Sequence, residues 1–150
     1  MSGAPTAVVA GAQRQLDATY ESIGVAVRWT DQPGAILLIV RDSEPGTLRS
    51  APQPILGVSI RAAQGSPAAY VFYRRAEEQA NRYGIDRAAV LAATMAHEVG
   101  HLLLPTPRHA ERGLMRACWD DEEFLRAARG VLRFSPDEAA LIRSRVGEFR

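Results

Sequence analysis

Residues 97–115 read HEVGHLLLPTPRHAERGLM, and they hold all three histidines of the chain: His97, His101 and His109. His97 and His101 are four positions apart, so on a helix they stand one turn apart on the same face. Zinc takes neutral imidazole nitrogens at about 2.0–2.1 Å in a tetrahedral arrangement, and such a pair supplies two of them from one rigid element. Glu98 would lie about 100° further round the helix than His97. It would sit beside the ion without being forced onto it, where a general base for an attacking water belongs.

The flanking residues fit a helix over 87–104. Asp86 is the expected N-cap, and Pro105 and Pro107 prevent continuation past Leu104. Ala88, Leu91, Met95, Val99 and Leu102 recur at helical spacing and form the stripe expected to face the core. His97 and His101 point away from it, with Val90, Thr94 and Leu104. That predicts a helix buried on one side and carrying its metal ligands on the other, on the floor of a cleft. A catalytic zinc site needs a third protein ligand and one open position. The stop at Pro105 lets the chain turn back and bring His109 to the ion. A bare H-E-x-x-H arises by chance in roughly one of several hundred chains of ordinary composition. Here the helix phase, the helix stop and the third histidine agree with it.

Upstream, residues 7–20 read as a helix rich in Ala, Gln and Leu. Residues 23–29 alternate apolar and small or polar positions and read as a strand. A turn follows at Asp31-Gln32-Pro33-Gly34, then the apolar run AILLIV over 35–40 suits a buried strand. Residues 43–54 carry three prolines and read as a surface loop. A third strand is expected over 56–60, a turn over 64–67, and a fourth strand over 69–73, where AYVFY is aromatic and β-branched. Residues 74–83 read as a polar helix ended by Gly84. Beyond the motif, residues 120–129 form a short helix. Ser135-Pro136-Asp137-Glu138 is a capping box with proline at the first helical position, opening a last helix. The plan is α+β: a small mixed sheet of about four strands with an antiparallel edge, packed on the zinc helix, with C-terminal helices.

At 150 residues the chain is expected to be one domain over 1–150. The formal net charge is 18 − 17 = +1, and the positive charges are spread along the chain, so no nucleic-acid partner is expected. No apolar run approaches the ~20 residues of a membrane span. The N-terminal MSGAPTAVVAGAQRQLD has no basic start and does not resemble an intact signal peptide; the compartment stays open, and a monomer is expected. A lone cysteine, Cys118, allows no intrachain disulfide.

HEVGH, a following histidine, and a methionine after a tight turn resemble the metzincin clan of zinc peptidases, whose pattern is H-E-x-x-H-x-x-G-x-x-H followed by a Met-turn. The resemblance implies that His97, His101 and His109 are the zinc ligands, Glu98 the general base, and Met115 the Met-turn methionine beneath the metal. It also implies a sheet whose edge strand binds an extended peptide. Ala69, Tyr70, Val71, Phe72 and Tyr73 are the candidate strand. GLMRACWD with a capped terminal helix is similar to small bacterial metzincin-like proteins. Relatives with a second zinc use several cysteines, so one ion is implied here. The specific motif covers residues 94–119. The chain departs from the pattern in three places. His109 follows His101 by eight residues rather than six, Leu104 and Pro105 stand where the glycine belongs, and Ala117 replaces a tyrosine found in some members.

Several residues carry two readings. Met115 could be core filler. Cys118 is expected as a small buried hydrophobe, or else as a thiol near the metal. Asp120-Asp121-Glu122-Glu123 suits a helix start, where the dipole favours negative charge; alternatively Glu122 is the third ligand, as in the gluzincin layout. Tyr70 and Tyr73 suit strand packing, with carbonyl polarisation as the alternative. The expected activity is peptide-bond hydrolysis on a peptide or protein substrate. The alternatives are a zinc-binding module without proteolysis, since 150 residues leave little room for a second cleft wall, and a zinc hydrolase of a non-peptide amide.

Overall fold

Burial on every side marks the helix that carries the motif. This computed structural model describes residues 3–48, 55–61 and 64–148. Among them the order is helix α1 (Thr6–Glu21), strands β1 (Leu37–Arg41), β2 (Gly57–Ile60) and β3 (Ala68–Phe72), then helices α2 (Tyr73–Tyr83), α3 (Arg87–Leu103), α4 (Asp121–Ala128) and α5 (Pro136–Gly147). The expected loop over 43–54 is described only to Leu48, where Gly46–Leu48 makes a 3-10 turn; the rest lies outside the described residues.

The architecture is α+β with a three-stranded mixed sheet in the order β1-β3-β2. β1 runs parallel to β3, and β2 antiparallel to it. The sheet is smaller than expected because residues 23–29 are not a strand. Their alternation is real, since Ile23 and Val25 are buried. Their backbone is spent elsewhere: the Ile23 and Val25 N–H groups donate to Tyr20 at the end of α1, and the Ile23 carbonyl accepts from Arg143 of α5. Alternate burial here comes from a turn that closes α1, with Gly24 at φ 83° between the two buried side chains, not from a ladder. A second correction concerns β3, which was expected at an edge. It is the central strand, hydrogen-bonded on both sides, and Tyr73 already belongs to α2.

α3 begins where Asp86 accepts from the Ala88 N–H and ends at Leu104. All of Ala88 to Leu103 is buried except Val99, so the expectation of one buried face is corrected. The predicted stripe omitted most of the small residues. Ala89, Ala92, Ala93 and Ala96 leave room for α1 to lie close: Gly11 of α1 stands against Ala88, and the Tyr20 hydroxyl donates to the Ala96 carbonyl at 3.0 Å. The two contacts advance together, so α1 and α3 run side by side in the same direction. Burial of a Leu, Met or Phe side chain contributes about 1.5–3 kcal/mol over leaving it exposed, and Leu91, Met95, Leu114 and Met115 are all essentially inaccessible.

The remaining caps follow the sequence. Gly84 takes the left-handed conformation, φ 64°, that closes α2. Asp120 with Glu123, and Ser135 with Glu138, form complete capping boxes on α4 and α5.

Candidate metal centre

α3 carries His97 and His101 on one turn, and the chain after Pro105 returns His109 to them. Nε2 of His101 lies 3.1 Å from Nε2 of His97 and 3.1 Å from Nε2 of His109. The three side chains are the group among the described residues that could hold a metal ion, with all ligand atoms within 4.8 Å of one another. A tetrahedron with metal–nitrogen bonds of about 2.0–2.1 Å has ligand edges of about 3.3 Å, so the spacing fits zinc. Glu122 is not part of the cluster: it is exposed on α4 and pairs with Arg126.

The return of the chain depends on the segment 110–116. The Ala110 N–H donates to the Met115 carbonyl at 2.9 Å, and Gly113 turns the backbone with φ 80°, a conformation open to glycine at little cost. This places the Leu114 carbonyl 2.7 Å from Nδ1 of His97. His97 therefore carries its proton on Nδ1 and presents a bare Nε2, the orientation of a metal-ligating histidine held by a backbone carbonyl. His101 has no such partner among the described residues, where its buried Nδ1 meets no hydrogen-bonding group. Burial holds His97 down at about 4, with the Leu114 bond opposing and the neighbouring histidines adding to the effect. Burial likewise lowers His101 to about 4, helped by His109 and Arg61. Both are neutral at physiological pH, as zinc ligation requires. Arg61, just after β2, donates to the carbonyls of His101 and Leu104 and ties the strand to the end of the motif helix.

Glu98 points towards β2. A β-carbon on Gly57 would sit 2.8 Å from Glu98 Cγ and 2.6 Å from the Tyr70 carbonyl oxygen. Burial pushes the Glu98 carboxyl up to about 7, with the Ser59 hydroxyl partly offsetting it. A proton acceptor poised near neutrality is what general-base chemistry uses.

The histidines and Glu98 line a cleft of about 440 Å³. Residues 55–59, Trp119 and Phe124 are among the residues that line it. Cys118 also lines it and is exposed. That corrects the expectation of a buried thiol; Cys118 instead shares the lining of the cleft with the three histidines, which is nearer to the alternative weighed for it. Met115 is fully buried, with Sδ under α3 at Gly100. Of the candidate substrate residues, none of Ala69 to Tyr73 lines the cleft. Ala69 and Val71 are buried, and Tyr70 alternates to the other face of β3. The Tyr73 hydroxyl is engaged by Glu77 and Arg87.

Sequence reasoning passed over Gly57, Gly100, Trp119 and the Leu114 carbonyl. Gly100 did carry a signal. An isolated glycine inside an Ala- and Leu-rich helix costs about 1 kcal/mol against alanine and so marks a close approach. A β-carbon there would lie 2.8 Å from Met115 Sδ and 2.9 Å from Phe134 Cε1. The Leu114 carbonyl carried none, because any residue supplies one. In comparisons with known proteins, no family model, no curated protein and no solved structure matches the chain.

Proposed function

We propose that the protein is a zinc-dependent metallopeptidase of metzincin-like layout, hydrolysing peptide bonds with Glu98 as general base. The observation that carries this reading is the convergence of three histidine Nε2 atoms beside a buried carboxyl in an open cleft. Zinc in such a triad supplies Lewis acidity towards water and a carbonyl oxygen. His97, His101 and His109 hold the ion. Glu98 takes a proton from the attacking water onto its carboxylate and returns it to the leaving amine. A purely structural zinc would close its fourth position with a protein ligand; the three-histidine cluster supplies three ligands, which favours hydrolysis over a passive module.

The substrate strand is reassigned from β3 to β2. β2 uses one edge to pair with β3, and residues 57–59 line the cleft. An extended peptide would add to its other edge by main-chain hydrogen bonds, which brings a backbone carbonyl past Glu98.

The test is cleavage of a mixed peptide library by zinc-loaded protein and by Glu98→Gln. The expected result is that Glu98→Gln retains zinc and loses cleavage by at least about 100-fold, as for removal of a general base. Equal cleavage by both would sink the mechanism, and cleavage of a non-peptide amide alone would reassign the substrate.

A further inference from the structure

Trp119 lines the cleft and meets the metal centre at two points. Its indole Nε1–H donates to the Leu114 carbonyl at 3.1 Å, the same oxygen that accepts the His97 Nδ1–H at 2.7 Å. Its ring also stands edge-on to the His97 imidazole, with centroids 5.8 Å apart and planes at 83°. A carbonyl oxygen has two lone-pair sites, and these two donors take both. A peptide plane gripped from both sides cannot swing without breaking a hydrogen bond, so the indole fixes the acceptor that fixes His97.

The indole is itself held. Phe124 of α4 packs edge-on against it at 5.7 Å and 85°. α4 is anchored by the Asp120–Glu123 capping box, and Arg116 bridges Asp120 and the buried Glu123. The support therefore runs from α4 through Phe124 and Trp119 to Leu114 and His97. His101 lacks an equivalent, since its Nδ1 has no partner among the described residues. The exactness of the site rests unequally on its two helical ligands.

We propose that Trp119 is a positioning residue of the metal centre, holding the Leu114 carbonyl and with it His97 in the ligating pose. This rests on the three histidines being a metal site.

The experiment measures zinc affinity by competition with a chromophoric chelator for the wild type and for Trp119→Phe, which keeps a ring and removes the N–H. Outer partners of metal-ligating histidines typically change affinity about 10- to 100-fold. Trp119 acts one bond further out, so Trp119→Phe is expected to weaken zinc about three- to tenfold. The visible spectrum of the cobalt(II)-loaded variant should shift as well, and the thermal midpoint of the metal-free variant should stay close to wild type. In the Trp29→Phe background, where Trp119 is the sole tryptophan, zinc should perturb the fluorescence emission. Wild-type affinity and an unshifted cobalt spectrum in Trp119→Phe would overturn the positioning role while leaving the metal centre intact. An affinity loss that merely tracks a lowered midpoint would overturn it too. A wild type that takes up no zinc would remove the metal reading itself and this inference with it.

Discussion

Met115 and Gly100 meet through a gap that only a glycine leaves: a β-carbon on Gly100 would stand 2.8 Å from Met115 Sδ. The methionine reaches under the motif helix between the two helical histidines, and Phe134 closes the same space from the side of α5. Gly100→Ala is expected to cost about 1–3 kcal/mol, the usual penalty for overpacking a core, despite the better helix propensity of alanine. It should also weaken zinc binding, because the displaced Met115 moves the Leu114 carbonyl next to it. Chemical denaturation and chelator competition check the two effects. A variant as stable as wild type would show that the gap is easily relaxed.

Gly57 performs the same service for Glu98. An alanine at 57 would press on the Tyr70 carbonyl oxygen and on Glu98 Cγ together, and the backbone atom cannot yield. Gly57→Ala should displace the carboxylate and lower kcat at least tenfold while zinc content stays near one per chain. Metal analysis alongside steady-state kinetics decides it; undiminished kcat would mean that the Glu98 position is not demanding.

The pH dependence of stability in the metal-free protein has two opposing parts. His97 and His101 are held near 4 against an ordinary 6.5, so below pH 6.5 the unfolded chain binds protons that the fold does not, and stability falls down to about pH 4. Glu98 is raised from 4.5 to about 7; across that window the fold keeps a proton the unfolded chain has lost, and stability falls as pH rises. Two histidines outweigh one glutamate, so stability should climb from pH 4.5 to about 6.5, dip slightly to about pH 7 as Glu98 ionises, and then level off. Glu98→Gln removes the opposing part. Its climb should be steeper, and it should exceed wild type at pH 8. Superimposable melting profiles across this range would contradict the assignment.

Zinc at 100 times its dissociation constant should stabilise the fold by about 2.7 kcal/mol, and chelation should remove that gain. His109 is exposed and His97 buried. His109→Ala should therefore abolish the zinc-dependent rise in Tm with no change in the metal-free Tm. His97→Ala should lower both, because it also leaves the Leu114 carbonyl short of a donor.

The sequence made some of this plain and left the rest dark for identifiable reasons. The helix over 87–104, its Asp86 cap and the triad were readable because spacing, capping and helix stops are local properties. The capping box at Ser135 and the acidic helix start at Asp120 were readable for the same reason. Residues 23–29 misled because burial on alternate positions does not say what the backbone pairs with. The order β1-β3-β2 was invisible because it is set by non-local pairing, so nothing in the sequence showed that residues 69–73, the candidate substrate edge, hold the centre of the sheet. Leu114 acts through its backbone, and no residue type announces that.

Because α3 is enclosed from Ala88 to Leu103 with only Val99 partly open, the helix that would perform the chemistry is also the axle on which the fold turns. Such a protein has little freedom to retune itself from within that helix, where almost any new side chain disturbs the core. Variation that alters what the site accepts has to come from the periphery instead. In a peptidase of the proposed kind, the edge of β2 left unpaired among the described residues and the segment from Pro105 to Trp119 are where new specificities would be explored while the chain still folds.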